Sequence, residues 1–319
     1  MKAFVTGATG FIGSHLCEEL LKRGYSVTCL VRETSDLKWI DTLNLRYVKG
    51  DCTDKESLCK VLHDFDYVFH LAGLTKSSSD DAFFSINTRG AENLIKAVSE
   101  KNPQVKRFVY ISSLSAAGPS KNGTPVDEQV YPAPVSNYGR SKLEGEKEIL
   151  KYKDTIPVTI IRPAAVYGPR DKDFLVLFRM VKKGIFPYWG KSYYSFLYVD
   201  DLVQGIILCA ERKEAVGNTY FMSEHDAHTN EEVVKLISSA LNAKALRLKV
   251  PKFVMPLCSF IGDKTRAGII NKDKIKELTH SYWVCNSRKA SEEIGFTPRI
   301  VIKEGMKWTA DWYRIHKWL

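Results

Sequence analysis

Lys2-Ala3-Phe4-Val5-Thr6-Gly7-Ala8-Thr9-Gly10-Phe11-Ile12-Gly13-Ser14-His15-Leu16 enters as an apolar strand, turns on glycine and leaves as a helix. Glycine permits a tight turn and close backbone approach, and the first N–H groups of a helix lack partners within it. Such a corner cradles a pyrophosphate, aided by the positive end of the helix dipole. The spacing is Gly-x-x-Gly-x-x-Gly, not the Gly-x-Gly-x-x-Gly of the standard dinucleotide fingerprint. A glycine-rich turn of no special purpose is the competing reading; the strand before it and the helix behind it argue against that. Gly7, Thr9, Gly10, Phe11, Ile12 and Gly13 are therefore the expected dinucleotide contacts.

The second strand, Ser26 to Val31, bears on the coenzyme. An acidic residue at its end accepts the ribose 2′-hydroxyl of NAD, whereas this chain has Arg32, whose guanidinium suits a 2′-phosphate. NADP is expected ahead of NAD, with Glu33 able to reverse the preference. Asp51, after the third strand, is placed to accept from the adenine amino group with Cys52 beside the ring; a turn cap is its other use.

Outward from these corners the chain keeps a strand-then-helix rhythm. Strands are expected at Lys2 to Thr6, Ser26 to Val31, Arg46 to Lys49, Tyr67 to His70, Arg107 to Ser112 and Val158 to Arg162. Amphipathic helices are expected at Ile12 to Lys22, Asp54 to Leu62, Ala82 to Val98 and Tyr138 to Lys151. The alternation predicts an α/β fold, a doubly wound parallel sheet of Rossmann type with a smaller C-terminal substrate-binding lobe. The expected division is a dinucleotide domain over 1–165 and a mainly substrate-binding lobe over 166–319, with segments near 196–224 returning to the sheet. At the end of the chain, Trp308, Trp312, Ile315 and Leu319 are spaced to line one helix face, which is expected to dock on the body; membrane-surface contact is the weaker alternative.

With 319 residues, 44% of them hydrophobic, a large core is available. Seven cysteines, including Cys258, show no C-x-x-C pair, which argues for reduced thiols. The opening residues read as strand rather than as a basic leader, and the apolar runs Leu202 to Ala210 and Phe253 to Ile261 fall short of the roughly 20 residues that span a bilayer. A cytoplasmic protein without a transmembrane segment is expected. The net charge of +10 is spread along the chain without basic runs interleaved with aromatics, so no nucleic-acid partner is expected. His225 and His228, near Glu224 and Asp226, have no further ligand in clear reach, and no metal is expected.

The chemistry centres on Tyr138-Gly139-Arg140-Ser141-Lys142, where a four-residue step puts phenol and ammonium on one helix face. A phenol titrates near 10, and a neighbouring cation lowers that value and brings it into acid–base range. Tyr-x-x-x-Lys alone is a weak signal. It gains weight from Tyr110-Ile111-Ser112-Ser113, which ends a strand where such sheets bind ligands. Ser113 is expected to hold the substrate oxygen, Ser112 to contact the cofactor, and Ser115 competes for the substrate role; ordinary turn chemistry is the alternative for this serine cluster.

With those residues in view, the chain resembles the extended short-chain dehydrogenase/reductases, the NAD-dependent epimerase/dehydratase family, over essentially its whole length. The marks are Gly7 to Gly13, Gly50-Asp51, His70-Leu71-Ala72-Gly73, Asn87 with Gly90, Ser113, Tyr138 with Lys142, Arg162 to Pro169 and Tyr198-Val199-Asp200-Asp201. The resemblance implies that Leu71, Ala72 and Gly73 line the cofactor, that Asn87 belongs to the catalytic set, and that Pro163 and Val166 lie by the nicotinamide. It also implies a homodimer through the helices after Asp81 and Tyr138. One departure matters: nucleotide-sugar epimerases usually carry asparagine where this chain has Ala165. With Arg32 and an aromatic second lobe, this is similar to the branch holding dihydroflavonol reductases and 3β-hydroxysteroid dehydrogenases. The expected activity is hydride transfer to or from an apolar or amphipathic small molecule; the alternative is a nucleotide-sugar epimerase or dehydratase, with Arg170 clamping phosphate.

Overall fold

Strands that are covered on both faces read as continuous apolar runs, and this is what the centre of the sheet shows. A computed structural model describes residues 1–77, 79–250 and 272–319. In it β4 (Tyr67–His70) and β5 (Arg107–Ile111) are buried along their whole length, and β1 (Lys2–Thr6) from its second residue on. With β2 (Ser26–Val31), β3 (Arg46–Lys49), β6 (Val158–Pro163) and β10 (Thr219–Met222) they form a seven-stranded parallel sheet in the order β10-β6-β5-β4-β1-β2-β3.

Helices cover both faces. Leu16 and Leu20 of α1 (Phe11–Lys22) share a core with Leu202 and Ile206 of α8 (Val199–Glu211). On the other face, Leu94 and Val98 of α4 (Gly90–Lys101) and Ile149 of α6 (Asn137–Leu150) pack with Leu58 of α2 (Lys55–Cys59). This is the doubly wound Rossmann-like architecture expected from the rhythm of the chain. Its strand order reverses between β1 and β4, and in open sheets of this kind ligands bind outside the carboxyl ends of the strands at such a reversal. The open edge at β10 is blunted by Glu128, whose carboxylate accepts from Phe221 N at 2.8 Å.

Two local expectations are corrected. The helix expected over Ala82 to Val98 is interrupted: α3 (Asp80–Phe83) passes through a π-helical turn, Phe84–Arg89, before α4 begins. Hydrophobic spacing cannot register the extra residue of a π-turn. The last helix, α12 (Ile302–Ile315), buries Ile302, Gly305, Met306, Thr309, Ala310 and Tyr313 instead of the face expected. Trp308 is 46% and Ile315 75% exposed. Small residues decide the face: a Cβ on Gly305 would lie 2.3 Å from the Tyr167 hydroxyl, so only glycine lets the helix come this close. Trp312 still docks, with Trp39 and Trp318 around it.

Beyond β6, the strands β7 (Ala165–Tyr167), β9 (Tyr193–Tyr198), β11 (Ala227–Thr229) and β13 (Tyr282–Trp283) make a smaller sheet. A two-stranded ribbon pairs β8 (Ile185–Tyr188) with β12 (Leu246–Lys249). Around them pack α7 (Lys172–Lys182), α9 (Asn230–Leu241) and α12, while α10 (Lys272–Leu278) and α11 (Arg288–Ile294) follow in the last part of the chain. Phe178, Phe186 and Phe196 of the aromatic second lobe are buried core. The run Phe253 to Ile261 and Cys258 lie outside the described residues. Among the described residues no helix is long and apolar enough to cross a membrane.

Candidate active site

The glycine corner is shaped by contacts that a side chain would forbid. Gly7 has φ +74°, and a Cβ there would sit 2.6 Å from Ala72 N; on Gly13 it would sit 2.1 Å from Gly7 O. The turn is thus pressed between α1 and the segment after β4. Gly10 is exposed, while Thr9, Phe11 and Ile12 are partly open beside it. Arg32 is exposed just past β2, and its N–H donates to Ser35 Oγ at 2.9 Å. Glu33, the residue able to reverse the coenzyme preference, pairs with Lys49 at 2.9 Å. One oxygen of Asp51 accepts from the Thr53 amide and hydroxyl at 2.8 and 2.9 Å, which is turn-capping geometry. Cys52 is buried against Gly90, and burial pushes its thiol up to about 12.

Tyr138 and Lys142 stand one turn apart on α6, whose N-cap Ser136 accepts from Gly139 N at 2.9 Å. Ser113 hydrogen-bonds the Tyr138 hydroxyl and also accepts from Ser115 N at 3.1 Å. Burial dominates the electrostatics, contrary to the expectation of a cation-lowered phenol. It pushes Tyr138 up to about 12, against the lowering effect of Ser113. Burial also brings Lys142 down to about 7, with Glu146 acting the other way. The ammonium donates to Ile111 O at 2.5 Å and lies 4.2 Å over the Tyr110 ring.

Several neighbours escaped sequence reasoning. Glu146 continues the Tyr138–Lys142 stripe by one more turn and meets Arg162 of β6 through two bonds of 2.9 and 2.6 Å. Ser112 donates to the same carboxylate, so its side chain is tied to this ion pair. The stripe at steps of four was the available signal. Asn87 lies on the π-turn, fully buried, and is saturated: it accepts from Leu74 N at 2.7 Å and donates to Leu74 O and Ser141 Oγ at 3.0 and 2.9 Å. It joins Leu74, the residue after Leu71-Ala72-Gly73, to α6. From α10, Asp273 accepts from the Asn137 and Tyr138 amides, and Glu277 from the Ser115 and Ser136 hydroxyls. Only their i, i+4 spacing was visible beforehand.

The remaining candidates follow in the chain from the end of β6 onward. Pro163 is buried at the end of β6, and Val166 and Ala165 are partly buried on β7. Arg170 turns toward the first lobe, where its guanidinium bonds Ser14 Oγ at 3.0 Å and Glu18, and stacks 5.3 Å over Trp39. His228 pairs with Glu224 at 3.1 Å, and among the described residues no group of three or more metal-ligating side chains converges.

A parallel sheet with a glycine cradle at its switch point defines a Rossmann-type α/β protein. The chain belongs to the NAD-dependent epimerase/dehydratase family, whose pattern matches residues 3–222. It is 30% identical to the UDP-glucose 4-epimerase of Vibrio cholerae, over 96% of this chain and 93% of that one. It is 26% identical to the ceramide reductase of Caulobacter vibrioides, over 99% and 95%. Among solved structures, MoeE5 in complex with UDP-glucose and NAD superposes with a TM-score of 0.81 at 25% identity, covering 99% of this chain and all of that one. Membership of this family supports an enzyme.

Proposed function

We propose that this chain is an oxidoreductase that uses NADP(H), ahead of NAD(H), on a carbonyl or hydroxyl carbon of an apolar or amphipathic substrate. The observation that carries the reading is the hydroxyl pair Ser113–Tyr138, with Lys142 one turn along the same helix. The glycine cradle at the start of α1 suits a pyrophosphate: a Cβ on Gly7 or Gly13 would collide with neighbouring backbone, so glycine is what closes the turn tightly against the start of the helix. When bound, the nicotinamide supplies or accepts a hydride at C4. Arg32, exposed at the end of β2 with Glu33 drawn to Lys49, supports the 2′-phosphate. Ser113 and Tyr138 polarise the substrate oxygen, and Tyr138 delivers its proton there. Lys142, titrating at about 7, gives and takes a proton at working pH and recharges the tyrosine.

A nucleotide-sugar epimerase is the second reading, favoured by the 30% identity to the Vibrio cholerae enzyme. Against it stand Ala165, which lacks a polar group for a sugar, and Arg170, whose guanidinium is engaged by Glu18. The deciding assay incubates purified protein with NADPH and a panel of apolar ketones. Stoichiometric NADPH loss is expected, and Tyr138→Phe should abolish it while binding NADPH nearly as well. Full activity in that variant, or epimerisation of a UDP-sugar by trapped NAD without external coenzyme, would overturn the reading.

A further inference from the structure

The first turn of α6 is held by a segment more than a hundred residues away. Both oxygens of Asp273 are used on it, at 2.7 Å from Asn137 N and 2.9 Å from Tyr138 N. These are amides with no partner inside the helix, and a carboxylate at this end also meets the favourable pole of the dipole. One turn further along α10, Glu277 Oε1 accepts from Ser115 Oγ at 3.0 Å and from the N-cap Ser136 Oγ at 2.9 Å; its other oxygen pairs with Lys274 at 2.9 Å. Asp273 and Glu277 are each 7% exposed, so these bonds are shielded from water. Charge-assisted bonds of this kind are roughly twice as strong as neutral ones.

We propose that Asp273 and Glu277 are positioning residues for the proton transfer: from α10 they lock the turn that carries Tyr138 and turn the Ser115 hydrogen onto Glu277. The proposal rests on the reading of Tyr138 as the acid. It also deepens that reading. With its hydrogen committed, Ser115 offers only lone pairs, so the substrate group it meets is a hydrogen donor such as a hydroxyl near the reacting carbon.

The charges around Tyr138 give a readout that scaffolding alone would not move. Glu277 of α10 and Asp173 of α7 favour the protonated phenol, and Lys274 opposes them. Asp173 is itself paired with Lys76, Ser113 stands at the hydroxyl from the end of β5, and Lys142 follows on α6. Glu277→Gln keeps an oxygen able to accept from both serines while removing the negative charge. Reduction requires the protonated phenol, so its rate falls as pH rises through the Tyr138 pKa.

The experiment measures NADPH-dependent reduction of phenanthrenequinone against pH, and amide hydrogen exchange over residues 136–140, in the full chain and in both variants. In Glu277→Gln the alkaline limb should move down by roughly 0.5–1 unit with the fold retained. In Asp273→Ala, exchange at Asn137 and Tyr138 should quicken about tenfold or more, a loss of about 1.4 kcal/mol of protection. An unmoved limb together with unchanged exchange overturns the proposal. Lack of any quinone reduction by the unaltered chain counts against the reductase reading, while the exchange measurement still judges the clamp: quickening supports it and normal protection overturns it.

Discussion

Arg32 lies exposed one residue past β2, where its guanidinium can reach solvent. Replacing it with aspartate exchanges a group that suits a 2′-phosphate for one that accepts from a 2′-hydroxyl. Arg32→Asp should therefore shift the ratio of kcat/KM for NADPH over NADH by about tenfold or more toward NADH, about 1.4 kcal/mol. An unchanged ratio would mean that this side chain does not read the phosphate. The placement of such residues is legible in sequence because it is local: Arg32 follows a strand, and Tyr138 and Lys142 are one turn apart. The Glu146–Arg162 pair was not legible, because sixteen residues and a strand crossover separate its members. Asp273 was further out of reach, since nothing near it in the chain announces the amides that it binds.

The glycine corner and α1 work as one element. Helix and turn approach so closely that a methyl group on Gly13 would collide with Gly7 O at 2.1 Å, backbone against backbone. Gly13→Ala must push α1 away from the turn, and overpacking of this sort costs about 1–3 kcal/mol. In the proposed binding mode the displaced N–H groups are those offered to the pyrophosphate. NADPH binding followed by titration calorimetry should weaken by about tenfold or more while far-ultraviolet dichroism keeps its helical shape; normal affinity would exclude the corner as the phosphate site. The strand-turn-helix here and the doubly wound character of the sheet follow from periodicity and glycine placement, so they were readable in advance; the order of the strands was not. The π-turn holding Asn87 and the docked face of α12 were not. Each depends on a close contact across the fold, the bond from Asn87 to Leu74 in one case and Gly305 against Tyr167 in the other.

At the scale of the whole molecule, buried titratable groups make stability a function of pH, and their signs differ. Lys142 is brought down to about 7 by burial, so between 7 and its unfolded value near 10.4 the unfolded chain holds a proton that the folded chain does not. Stability contributed by this group therefore rises with pH across that window, by up to about 1.4 kcal/mol per unit. His228 acts oppositely just above its ordinary range, because Glu224 raises it and its contribution is lost as it deprotonates. Above about 8.5 the buried thiols of Cys52 and Cys285, each pushed up to about 12, also oppose Lys142: the unfolded thiols ionise first. The clean measurement is a difference. Urea unfolding of the chain and of Lys142→Met, repeated from pH 7 to 8.5, cancels the histidine and thiol contributions common to both. The stability advantage of the methionine variant should be largest at pH 7 and shrink as pH rises, since only the unaltered chain is relieved of a buried charge. A difference that stays flat, or that grows with pH, would mean that Lys142 enters the fold with its proton firmly held, and the recharging of Tyr138 near neutrality would lose its physical basis.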